Sequence, residues 1–160
     1  MITTMSLAEV SKILDDIAQP LDEEIVLPPD LMGALQEGRR VVMKVASRIP
    51  AKGFDIAFIR EKTPKEEVEN VVGMIERLNR EIQTDVETLL NDIARYEMLS
   101  NATNIGEAVI ISDLRRKLTN LVIKCNKIIN EVRRLVVIFL IYNSFKLGET
   151  LYTPAFPPRQ

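Results

Sequence analysis

Every side chain in this sequence that is spaced to do chemistry as part of a set is a cation. Arg40, Lys44 and Arg48 stand at i, i+4 and i+8, which places three positive charges on one face of a helix. Arg116, Lys124, Lys127 and Arg134 form a second stripe, with Asn120 among them and Arg115, Lys117 and Arg133 beside it. Positive charge repeated along a rod, with amide donors between, is what a phosphate backbone binds. No aromatic residue falls within 36–52 or 114–134, so there is no platform for stacking on unpaired bases. The expected contact is therefore with backbone and shape, independent of sequence, and double-stranded DNA is the first candidate.

Other chemistries are short of parts. The chain has no histidine, which removes the usual general base at neutral pH, the Ser-His and Cys-His arrangements and the commonest transition-metal ligand. The single cysteine, Cys125, lies among Ile123, Ile128 and Ile129 and reads as a small core hydrophobe. Asp15-Asp16 and Asp22-Glu23-Glu24 lack the ligand spacing of a calcium loop. There is no GxGxxG, GxxxxGK[ST] or GxSxG. No enzyme activity, metal or cofactor is expected. Asn101-Ala102-Thr103 matches a glycosylation sequon, but the N-terminus lacks the basic and apolar regions of a secretory signal.

The net charge of −2 conceals a segregation. Residues 1–35 hold one lysine against seven acids, and residues 36–52 five cations against Glu37 alone. Residues 53–113 hold six cations and 13 acids, while residues 114–146 hold eight cations and only Glu131. Two readings compete. The basic faces meet an outside polyanion, or the helices neutralise one another, with Glu66, Glu69, Glu76 and Asp92 facing Lys124, Lys127 and their neighbours.

The elements that must position these charges are helices, giving an all-α fold in a single domain over 1–160. Ser6 and Glu9 make a capping box for a helix over about 6–19, which Pro20 closes. Residues 20–29, with Pro20, Pro28 and Pro29, read as an extended connector. A second helix is expected over about 30–48, from Leu31, Leu35, Gly38, Val42, Val45 and Ile49. Gly33 and Gly38 weaken it by roughly 1 kcal/mol each, so it bends or a neighbour comes close.

Residues 50–62 read as a second extended connector, because Phe54, Ile56 and Phe58 alternate with polar or small residues and have no partner strand. Thr63-Pro64-Lys65-Glu66 then gives an N-cap, a first-turn proline and a favourable acid. It opens a long helix over about 63–99, with Val68, Val71, Ile75, Leu78, Ile82, Val86, Leu89, Ile93 and Tyr96 inward. Ser100 to Asn104 and Gly106 break it. The last helix, about 107–145, carries Ile111, Leu114, Leu118, Leu121, Cys125, Ile128, Val132, Leu135, Phe139 and Tyr142 at alternating steps of three and four. The two long helices should form an antiparallel hairpin, with the shorter helices completing a bundle. Residues 147–160, with Pro154, Pro157 and Pro158, read as an extended C-terminal arm.

Leu135 to Tyr142 is apolar on every face, which one partner helix cannot cover. It is either the centre of the bundle or a surface for other subunits or lipid. Leu135, Ile138, Phe139, Ile141, Tyr142, Tyr152 and Phe156 are thus the candidates for a subunit interface. At eight residues the run is far short of the roughly 20 needed to span a bilayer, so any membrane contact would be interfacial.

The hairpin, proline-bearing segments, basic stripes and all-round apolar end together resemble the coat proteins of filamentous archaeal viruses, over roughly residues 28–160 and in plan only. The resemblance implies helical subunits that wrap DNA and interlock through extended arms. Arg40, Lys44, Arg48, Arg116, Lys124, Lys127 and Arg134 would then lie against phosphates, the partners would be further copies or a paired second coat subunit, and the location would be the virion. Without it the expected location is cytoplasmic. The alternatives are a helical interaction module that touches no nucleic acid, and a small helical subunit of a nucleoprotein effector complex.

Overall fold

A computed structural model describes Lys12, residues 19–48, 59–61, Thr63, 66–99 and 106–152, with side chains as far as Asn143. Three helices organise them: α1 over Leu31–Arg48, α2 over Glu66–Leu99 and α3 over Glu107–Tyr152. No strand occurs among the described residues. The expected helix over 6–19 lies outside them except for Lys12, which is helical, and Gln19, which is not.

Helix α1 begins where Asp30 turns its side chain back to cap it. Asp30 Oδ2 accepts from the Gly33 amide at 2.8 Å, and its carbonyl accepts from the Ala34 amide at 3.0 Å, satisfying amides that have no partner within the helix. Helix α2 opens on Glu66, Glu67 and Glu69, which complement the positive end of its dipole. The capping bond expected from Thr63 is absent. That residue is turned fully into the core, and its hydroxyl makes no hydrogen bond.

Helices α2 and α3 pack against each other, and α1 packs on both. Their antiparallel register is visible in two ion pairs: Asp92 meets Lys117, and seven residues earlier on α2 Asp85 meets Lys124, seven residues later on α3. Inside, the α3 seam of Ile111, Leu114, Leu118, Leu121, Cys125, Ile128, Val132, Leu135 and Phe139 is buried throughout, opposite Val68, Val71, Ile75, Leu78, Ile82, Leu89 and Ile93 of α2. Each fully buried Leu or Ile contributes roughly 1.5–3 kcal/mol, so this seam supplies the main drive for the fold. Gly38 explains how α1 comes so near. A Cβ added there would stand 3.1 Å from Leu114 Cδ2 and 3.6 Å from Ile93 Cδ1, so the glycine lets its backbone settle on both long helices.

Two expected extended segments are corrected where the structure describes them; residues 50–58 and 62 of the first lie outside the described residues. Ile59, Arg60 and Glu61 are helical, which satisfies backbone groups that a strand without a neighbour would leave open. Helix α3 runs through Gly148 to Tyr152, where the C-terminal arm was expected to be extended. One glycine costs a helix about 1 kcal/mol and does not stop it. Residues 153–160 of that arm, with Phe156, lie outside the described residues.

Candidate nucleic-acid interface

The structure divides the seven candidate cations. On α1 all three are occupied within the chain. Arg40 donates to Glu37 at 2.6 Å and also to Glu23, Lys44 reaches Glu23 at 2.7 Å, and Arg48 donates to the Gln19 carbonyl at 2.6 Å. Lys44 first, and then Arg40, hold the Glu23 carboxyl below its ordinary range. This stripe serves the connector that precedes it.

On α3, Lys124 is also engaged, with Asp85 at 2.6 Å and Glu81 at 3.7 Å. Its ammonium pKa is raised, chiefly by the bond to Asp85. Lys117 bridges Asp113 and Asp92. The internal pairing expected of the acidic helix thus exists, with Asp92 part of it, although Glu69 turns to Arg60. Glu81 and Asp85 stand where other acids of α2 were expected, and a register worked out from the facing seams points to them.

The rest of the second stripe stays on the surface. Arg116 is exposed and, among the described residues, pairs only with Asp113 one turn away on its own helix, at 2.8 Å. Lys127 and Arg134 are exposed and form no ion pair among the described residues. With them on the outward face lie Ser112, Arg115, Thr119, Asn120 and Asn130, all exposed. None of the acids of α3 up to Asn143 is among its exposed residues; Glu107, Asp113 and Glu131 are all partly covered. From Ser112 to Arg134 this face runs about 33 Å at 1.5 Å per residue.

The apolar candidates divide too. Leu135 and Phe139 belong to the core of this chain, and Ile138 packs against it. Tyr142 is half-buried, whereas Ile141 is 59% exposed and shares its face with Ile123 and Val137. The Tyr152 side chain and Phe156 lie outside the described residues. Cys125 is buried, and burial pushes its thiol up to about 11, far from a reactive thiolate. No group of side chains able to hold a metal occurs among the described residues, and no helix searched among them is long and apolar enough to cross a membrane.

Comparison with family models, with curated proteins and with solved structures finds no match for this chain.

Proposed function

We propose that this protein is a non-enzymatic structural subunit that assembles on the backbone of nucleic acid, with the outward face of α3 as its contact surface. One observation carries the reading: Arg115, Arg116, Lys127 and Arg134 share an exposed face with Ser112, Thr119, Asn120 and Asn130, and with no exposed acid. Cations interleaved with hydroxyl and amide donors are the side chains that contact phosphate oxygens. The face is about as long as one turn of duplex, roughly 34 Å. Helix α1 drops out of the contact surface because its cations are tied to the segment that precedes it, and Lys124 because it is tied to α2; Arg116 pairs only along its own helix and stays on the outward face. What remains narrows the site to one helix.

Binding to random-sequence duplex DNA, followed by fluorescence anisotropy across a salt series, tests this. Expected is sequence-independent binding that weakens steeply as salt rises. Replacing Lys127→Glu together with Arg134→Glu should flatten the log–log slope by about 1.8, at about 0.9 for each phosphate left unneutralised. Arg40→Gln should leave it unchanged. Absence of binding at low salt would overturn the proposal.

A second reading, a protein scaffold without nucleic acid, draws on Ile123, Val137 and Ile141, which lie on the same face and are 46–59% exposed. It expects self-association in sedimentation velocity without DNA, abolished by Ile123→Glu with Ile141→Glu.

A further inference from the structure

The segment before α1 is held as a bound peptide is held. Residues 19–29 have no helix, and they run back along α1, with Gln19 at Arg48, Glu23 at Arg40 and Lys44, and Pro28 at Gly33. The side chains alternate as in a strand. Leu21 and Leu27 are buried, Ile25 packs on the core and Glu23 is largely covered, while Asp22, Glu24 and Val26 face out. At Leu21 the main chain is read directly, since its amide donates to Asn126 Oδ1 at 2.6 Å and its carbonyl accepts from Asn126 Nδ2 at 3.0 Å. Main-chain bonds for affinity and pockets for alternate side chains for selectivity are the features by which proteins recognise extended peptides.

We propose that the surface formed by Arg40, Lys44, Arg48 and Asn126 is a recognition site for an extended acidic peptide of the pattern Leu-x-Glu-x-Ile-x-Leu, and that residues 21–27 are its resident occupant. None of the contacts requires the occupant to be joined to α1. The tether through Pro28 to Asp30 only raises the local concentration, to the millimolar range or above, and so closes the site to competitors. A peptide of the same chemistry from another protein would enter when the resident segment lifts away. Glu23 selects for charge, the two leucines for shape, and Asn126 for an extended backbone.

The test uses the full chain and a fluorescein-labelled synthetic peptide with the sequence of residues 19–28. In the chain, Leu21→Asp with Glu23→Lys empties the site. Circular dichroism and a cooperative urea transition show whether that variant folds, and Glu23→Gln, which keeps both leucines, replaces it if it does not. The emptied chain should bind the peptide at least tenfold more tightly than the unmodified chain does. Adding Asn126→Ala should weaken that binding about tenfold, and a peptide with lysine in place of the glutamate that corresponds to Glu23 should not bind the emptied chain. If the folded, emptied chain fails to bind at millimolar peptide, or binds no better than the unmodified one, the proposal falls.

Discussion

Gly106 is the one described residue with a positive φ, +83°, and it accepts from the Ile110 amide to start α3. A side chain there would meet nothing within 4 Å, so the cost of replacing it is conformational alone. Gly106→Ala should lower stability by about 1–2 kcal/mol, the left-handed penalty for an L residue, as read by urea denaturation. Cys125 makes the opposite case, in which surroundings and not backbone decide. Because burial raises its thiol from an ordinary 9.0 to about 11, the unfolded chain ionises first, and stability should fall as pH rises from 9.0 towards about 11. Cys125→Ala should remove that dependence. Glu23 titrates the other way. Its folded pKa is lowered from 4.5, so its contribution is present above that value and lost as pH falls through the lowered one. The stability gap between the natural chain and Glu23→Gln should be open at about pH 6 and should narrow as the pH is taken below 4.5, by urea midpoints.

At the scale of the element, the apolar seam and the ion pairs along it are far from equal. The Lys124–Asp85 pair is about a third exposed on either side, and pairs of that kind contribute about 0.2–1 kcal/mol. Leu121 is fully buried, and its truncation costs about 2–5 kcal/mol. Lys124→Ala with Asp85→Ala in a double-mutant cycle should therefore return a coupling below about 1 kcal/mol, and Leu121→Ala a loss several times larger. This inequality is also why the sequence discloses the helices so well and the charges so poorly. The steps of three and four from Ile111 to Phe139 are written in residue type, and all nine positions are buried. Which acid answers Lys124 depends on the register between two helices, which neither helix carries alone. The stretch from Leu21 to Leu27 is hidden for a different reason: its alternation places Glu23 inward and Val26 outward, against the polarity by which a strand pattern is recognised, and the compensating cations lie on another element.

For the whole molecule, the outcome is a hairpin that pairs part of its charge internally and, among the described residues, leaves one helix face free of exposed acid. The overall net charge, −2, would by itself argue against a polyanion partner. The distribution matters more than the sum, because screening confines each charge to about 8–10 Å at ordinary salt. Helix α3 is also longer than its partner, at 46 residues against 34. Carried along the register of Asp85 with Lys124 and Asp92 with Lys117, Glu66 stands level with Asn143. The helix beyond, residues 144–152, extends roughly 13 Å past the start of α2. If the chain assembles as proposed, that overhang would make α3 its own gauge of assembly. In a solitary chain, amides there lack α2 as a shield and should exchange with deuterium within seconds, while those around Leu121 hold out for the global opening of the fold. If another copy or a partner lies across the projecting turns, their exchange should slow while that of Leu121 stays put, so the ratio of the two rates reports the contact without a label.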